Sequence, residues 1–126
     1  MTATTIGYSL AGLIAAGIIF IGVRFIVAPR IAATGYGVPA DPTQPSVAAY
    51  LRVKGIRDVA SGLIVLILML AAATQLLGWM ILAATIIPLA DAAIVLGSGG
   101  SKSVAFGVHG VTAAIMLVTS ALLLVS

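Results

Sequence analysis

Residues 5–27 read TIGYSLAGLIAAGIIFIGVRFIV, a run of 23 residues whose only charged side chain is Arg24. A helix needs roughly 20 mainly apolar residues to cross a bilayer, so this run predicts a membrane-spanning helix. Three further apolar segments follow, at about residues 46–73, 76–96 and 103–125. We therefore predict an all-α fold, a single transmembrane domain over residues 1–126 built as a bundle of four transmembrane helices.

The composition agrees with this prediction. Hydrophobic residues make up 62% of the chain and charged residues 7%, whereas soluble domains carry about 25% charged residues. The chain has no cysteine, which excludes disulfides and thiolate metal sites, and we predict neither a metal nor a cofactor. The net charge of +3 comes from residues beside the apolar segments, so we expect contacts with membrane lipids and not with nucleic acid.

All basic residues lie at one end of the apolar segments or in the loops joining those ends. They are Arg24, Arg30, Arg52, Lys54, Arg57 and Lys102. The other end, which holds both termini and the predicted turn at 74–75, carries no charge. The positive-inside rule places the basic end in the cytoplasm and both termini on the non-cytoplasmic side. We expect a multi-pass protein of the cell membrane, inner or plasma.

Residues 28–45 form the only substantial predicted loop. Its glycines and prolines predict turns and extended backbone and not a helix; they are Gly35, Gly37, Pro39, Pro42 and Pro45. Ile31, Tyr36 and Val38 could dip into the membrane interface. We expect an ordered cytoplasmic loop that folds over the helix ends, as a lid would.

Two features bear on how the helices pack. Gly7, Ala11 and Ala15 are spaced by four, which lets helix backbones approach closely in lipid, although small residues are also common in membrane helices generally. Pro88 is expected to kink the third helix and free the carbonyl of Ala84.

Each predicted helix carries an ionisable group at a similar depth near the basic end. Asp91 lies six residues before Gly97, and His109 lies six after Ser103, each about 9 Å inside its helix end. A charge near mid-membrane costs at least about 2.5 kcal/mol, so such groups tend to face the bundle and pair. The candidate ligand-binding residues are Arg24, Arg57, Asp58, Asp91 and His109.

Each candidate also has a purely structural interpretation. Arg24 could extend to the head groups. Arg57 and Asp58 are about 100° apart on a helix, so only one of them can face the bundle. Asp58 could pair with Lys54 four residues earlier, and an Asp91–His109 or Asp91–arginine pair could simply hold two helices together. Arg30, Arg52, Lys54 and Lys102 are adequately explained as orientation signals.

Five stretches resemble a known family: RFIVAPR (24–30), GYGVPAD (35–41), YLRVKGIRD (50–58), PLAD (88–91) and HG (109–110). The family comprises small bacterial and fungal four-helix membrane proteins with a domain of unknown function, distantly similar to the DoxX-like group. The resemblance implies a four-helix bundle with Arg57, Asp58, Asp91 and His109 as family features, and it implies no reaction. Small multidrug transporters match in length, but they depend on a glutamate, and this chain has none.

The leading functional hypothesis is a cytoplasm-facing polar pocket that binds a small amphipathic molecule such as a lipid, quinone or isoprenoid. An enzymatic version, an isomerase or cyclase, would use Asp91 and His109 as a catalytic acid/base pair. The alternative is an accessory or structural subunit of a larger membrane complex. Association with itself or with a larger membrane partner stays open.

Overall fold

The computed structural model describes residues 2–39, 41 and 43–126, and every regular element in that part of the chain is helical. The elements are α1 (Ala3–Val27), α2 (Pro29–Tyr36), α3 (Pro45–Leu70), α4 (Thr74–Ala84), α5 (Ile86–Gly97), α6 (Lys102–Val104), a π-helical segment (Ala105–Gly110) and α7 (Val111–Leu124).

Three helical stretches in the described part of the chain are long and apolar enough to cross a membrane. They are α1, the α4–α5 stretch Thr74–Gly97 and the stretch Lys102–Leu124, which runs from α6 to α7. α3 has 26 residues, but four charged side chains lie within residues 52–58, and it is free of charge only from Val59 onward. A fourth crossing by α3, and the sides of the membrane on which the termini lie, stay predictions.

The expectation that residues 28–45 contain no helix was wrong, because α2 forms over Pro29–Tyr36. Pro29 ends α1 and also begins α2, since proline suits the first helical position, where its missing N–H would be unpaired. Gly37 closes α2 in a left-handed conformation, with φ of 99°, which is the usual role of glycine after a helix. The prediction that the whole loop is ordered includes Ala40 and Pro42. These two residues lie outside the described part of the chain.

The turn predicted at 74–75 lies earlier, at residues 71–73, where Ala72 has a φ of 52°. Thr74 and Gln75 begin α4, and their side chains form hydrogen bonds to other helices at the uncharged end of the molecule. The Thr74 hydroxyl is 2.9 Å from the Tyr8 hydroxyl, and Gln75 Nε2 donates to the carbonyl of Leu124 at 3.1 Å. Gln75 therefore satisfies a carbonyl at the end of α7, and Thr74 links α4 to Tyr8 of α1; neither forms the turn.

Small residues bring α1 close to its neighbours, as their spacing predicted. Gly7, Ala11 and Ala15 are buried, and a Cβ on Gly7 would lie 2.8 Å from Leu123 Cδ2 in α7. The approach to α3 is tighter still, because a Cβ on Gly22 would lie 2.6 Å from the carbonyl oxygen of Gly55. α1 therefore packs closely against the Leu123 side chain of α7 and approaches α3 by near contact of backbones.

The α4–α5 stretch is interrupted at Thr85, three residues before Pro88. Proline has no N–H to offer the carbonyl of Ala84, four residues earlier. The buried Thr85 hydroxyl donates to the carbonyl of Ile81 at 2.8 Å, so this hydroxyl is satisfied inside the helix. The interruption lies where Pro88 predicted a kink, and it sets the start of α5, which carries Asp91.

Candidate functional site

Tyr36, the last residue of α2, lies at the centre of a group of side chains at the basic end of the molecule. Its ring packs edge-on against Phe25, at 5.8 Å between ring centres, and against His109, at 4.8 Å. We call this group the Tyr36 cluster. Its members are Phe25, Tyr36, Lys54, Asp58, Asp91 and His109.

Lys54 and Asp58 form the ion pair of the cluster. Lys54 Nζ donates to Asp58 Oδ2 at 2.6 Å, and both side chains are largely buried. The same ammonium lies 4.4 Å from the ring centre of Phe25 and 4.5 Å from that of Tyr36, which is cation–π geometry. Lys54 is thus part of the site geometry, and the interpretation of it as an orientation signal alone was incomplete.

His109 is held in one orientation by the backbone of α2. Its Nε2 lies 2.9 Å from the carbonyl oxygen of Tyr36, and because a carbonyl only accepts, Nε2 carries the hydrogen. The other ring nitrogen, Nδ1, lies 3.9 Å from Asp91 Oδ2, which is too long for a hydrogen bond. Nδ1 therefore faces the Asp91 carboxylate without a direct hydrogen bond to it.

The hydroxyl of Tyr36 stays protonated. Burial raises the pKa of this phenol, and the nearby carboxylates of Asp91 and Asp58 raise it further, since they disfavour a third negative charge. The hydroxyl is a neutral donor close to two carboxylates. Tyr36, at the end of α2, thus lies near Asp91 on α5 and Asp58 on α3.

The backbone around His109 departs from the α-helix. His109 lies in the π-helical segment Ala105–Gly110, whose looser winding changes the direction of the side chains that follow. Gly107 and Gly110 have low α-helix propensity, so a departure from the regular α-helix costs less free energy here. π-helical turns occur often at functional sites, which supports a specific role for this residue.

Glycine contacts hold the end of α2 over the cluster. A Cβ on Gly37 would lie 2.7 Å from Val104 Cγ1 and 3.1 Å from Val95 Cγ1, and a Cβ on Gly100 would collide with the carbonyl oxygen of Gly37. Gly37 therefore packs against α5, α6 and the turn between them.

The structure brings three of the five predicted site residues into the Tyr36 cluster, namely Asp58, Asp91 and His109. Arg24 and Arg57 are exposed and lie outside it, and the guanidinium of Arg24 is 5.9 Å from the ring centre of Phe20. Asp58 is thus the one of the adjacent pair that faces inward, and it pairs with Lys54 as the structural interpretation had it. A role for any of the five in binding or catalysis stays a prediction.

Sequence reasoning missed Tyr36 and Phe25 as members of the site. Tyr36 had been considered only as a residue that might touch the interface, and Phe25 lies in an apolar run without distinguishing spacing. The available signal was the spacing of Lys54 and Asp58, which placed an ion pair on the inner face of α3. Asp91 and His109 are two potential metal ligands, but the part of the chain that the structure describes holds no group of three.

Two open grooves lie elsewhere on the molecule. One, of about 490 Å³, lies between the start of α2 and the start of α3, and another, of about 260 Å³, is lined by Leu10 and the α7 residues Ala114, Ile115 and Val118. Neither is lined by the ionisable residues of the Tyr36 cluster.

The comparison with protein families decides the affiliation of the chain. A family model matches residues 15–123, which is most of the sequence and includes the whole Tyr36 cluster. The chain belongs to DUF4267. This family is described as a domain of unknown function, which confirms the expected membership in a family without an assigned role. No curated protein and no solved structure matches the DUF4267 chain. Its similarity to the DoxX-like group and its bacterial and fungal range stay predictions.

Proposed function

We propose that this DUF4267 protein is a multi-pass membrane protein that binds a small amphipathic molecule, a lipid, quinone or isoprenoid, with its polar group in the Tyr36 cluster. In this proposal α3 is the fourth spanning helix and the basic end faces the cytoplasm. The observation that carries the proposal is the 3.9 Å gap between Asp91 Oδ2 and His109 Nδ1. A polar atom of a ligand can bridge two groups that face each other at this distance without a direct hydrogen bond.

The charges of the cluster favour an uncharged polar group in the ligand. Lys54 neutralises Asp58, which leaves the Asp91 carboxylate opposite a histidine that can be neutral or protonated. A hydroxyl would donate to Asp91 and accept from a protonated Nδ1, whereas a carboxylate would bring a third negative charge beside two others. The cluster therefore suits an alcohol or a quinol better than a fatty acid, whereas a quinone, which only accepts hydrogen bonds, could bond a protonated Nδ1 but not the Asp91 carboxylate.

Access to the gap requires α2 to move. α2 is flanked by Ala28, which separates it from α1, and by Gly37, whose left-handed conformation ends it. Lifting α2 would break the bond from His109 Nε2 to the Tyr36 carbonyl and withdraw the Tyr36 ring from His109. In this proposal α2 is a lid, and the polar group of the ligand replaces the Tyr36 side chain.

Catalysis is the second candidate function, because the same geometry leaves Nδ1 of an oriented imidazole free to accept a proton beside a carboxylate. A general base must lie within hydrogen-bond reach of the proton that it removes, and a ligand bridging the gap would meet this condition. An isomerase or cyclase acting on an isoprenoid-like substrate needs no further cofactor. Turnover of the bound molecule by purified protein distinguishes this candidate from simple binding.

The test is the identity and amount of any small molecule extracted with the pure protein, measured by mass spectrometry. We expect one amphipathic compound in wild type, and at least about a tenfold loss of it in Asp91→Asn and in His109→Ala. Lys102→Gln, an exposed change at the same end of the molecule, should retain it. Equal retention by all variants would contradict the proposal. A stable partner protein without any bound compound would favour the accessory-subunit alternative.

A further inference from the structure

The groove of about 490 Å³ combines basic and apolar walls. It lies where α1 ends and where α2 and α3 begin, and Arg30 and Arg52 line it together with Val27, Ile31 and Pro45. Val27 and Ile31 are among the large apolar side chains that the fold leaves exposed. None of the described residues that line the groove is acidic.

Arg52 is anchored in a way that leaves most of its donors available. Its Nε donates to the carbonyl of Ile26 at 3.4 Å, which holds the guanidinium against the last turn of α1. An arginine has five N–H donors, and this bond uses one of them. Arg30 reaches the groove from the first turn of α2, so the two guanidinium groups come from different helices.

Asp41, an acidic residue close enough to feel the charge of Arg30, is already engaged. Asp41 accepts hydrogen bonds from the backbone N–H and the hydroxyl of Thr43, and these bonds lower the pKa of Asp41, with a smaller contribution from Arg30. Arg30 and Arg52 therefore carry two positive charges against the single negative charge of Asp41, whose carboxylate already bonds Thr43. The helix starts at Pro29 and Pro45 add to the positive potential, since neither first turn has a side-chain cap.

We propose that this groove binds the head group of an anionic phospholipid, with the phosphate between Arg30 and Arg52. The acyl chains would continue along Val27 and Ile31. Arginine guanidinium groups bind phosphate through paired, charge-assisted hydrogen bonds. Phosphate binding would therefore account for both arginines in the groove, whereas the orientation of the protein in the membrane does not require the two to lie together. The groove shares no residue with the Tyr36 cluster, so this proposal is independent of the proposed function.

The experiment is native mass spectrometry of the full chain in detergent, titrated with dioleoyl phosphatidylglycerol or with dioleoyl phosphatidylcholine. We expect phosphatidylglycerol to bind wild type at least about tenfold more tightly, and the double variant Arg30→Gln/Arg52→Gln to lose about that factor. Lys102→Gln removes one positive charge at the same end, outside the groove, and should change binding less than about twofold. Arg30→Gln alone keeps the bond from Arg52 to Ile26 and should weaken binding about threefold, so it tests the proposal if the double variant misfolds.

Three results would overturn the proposal. The first is equal binding of the two lipids to wild type. The second is a loss in Lys102→Gln as large as that in the Arg30 variant, which would indicate general attraction by the basic end. The third is displacement of phosphatidylglycerol by millimolar inorganic phosphate, which would show that a free phosphate site and not a lipid site accounts for the arginines.

Discussion

Replacing Lys54 with methionine tests whether the Tyr36 cluster is a packed unit or a set of separate surface charges. The variant keeps the length of the side chain but removes the ammonium that lies 2.6 Å from Asp58 Oδ2 and over two aromatic rings. The Asp58 side chain is only 15% exposed, so its carboxylate would lose its partner in a poorly solvated place.

The expected cost follows from these contacts. Exposed ion pairs contribute about 0–1 kcal/mol, and breaking a fully buried pair costs about 3–5 kcal/mol, so this partly buried pair should lie between the two ranges. Each cation–π contact adds about 0.5–1 kcal/mol. The ion pair, at about 1–3 kcal/mol, and the two cation–π contacts, at about 1–2 kcal/mol together, give an expected loss of about 2–5 kcal/mol in the free energy of unfolding of Lys54→Met.

The assay is reversible unfolding in mixed micelles, with Lys102→Met as the matched control for loss of an exposed lysine at the same end. The control should cost less than about 0.5 kcal/mol. In a double-mutant cycle, Asp58→Asn should cost much less in the Lys54→Met background than in wild type, because the two residues act as a pair. Equal effects of Lys54→Met and Lys102→Met, or strict additivity with Asp58→Asn, would refute the argument.

Three further predictions concern backbone contact, the lid and alkaline pH. Gly22→Ala should cost about 1–3 kcal/mol in unfolding assays, because its Cβ meets the backbone of α3, whereas Gly17→Ala has open space and should cost nothing. Gly37→Ala should speed proteolysis of the loop, since φ there is 99°, whereas Gly35→Ala should leave it unchanged. Because the folded state keeps the Tyr36 proton that the unfolded chain releases above pH about 10, stability should fall as pH rises further, and Tyr36→Phe should reduce that fall in pH-dependent unfolding.

The helices and the polar end were predictable because they follow from composition and spacing. Long apolar runs predicted α1, α3 and the stretches that contain α5 and α7, and the six-residue offsets of Asp91 and His109 from their helix ends brought them to one depth. The structure places these two side chains opposite each other, 3.9 Å apart. Depth could be calculated because rise per residue is nearly constant in a helix.

The errors arose where one residue serves two roles. Gly37 was interpreted only as a turn former, yet it closes α2, which begins at Pro29. The π-helical segment around His109 could not be predicted, because a single looser turn leaves the apolar pattern almost unchanged. Tyr36 reached the centre of the site through α2, and so the error in the loop also concealed the central residue of the cluster.

The most direct test of the Tyr36 cluster as a ligand site is the nitrogen NMR spectrum of His109, the sole histidine of the sequence. Protein labelled with 15N-histidine gives two ring signals that report which nitrogen carries hydrogen. We predict that Nε2 carries the hydrogen in delipidated protein, where it bonds the Tyr36 carbonyl, and that the ring signals shift when this protein is reloaded with the total lipid extract of the cells that expressed it. A neutral ring protonated on Nδ1, or identical spectra before and after reloading, would contradict the account.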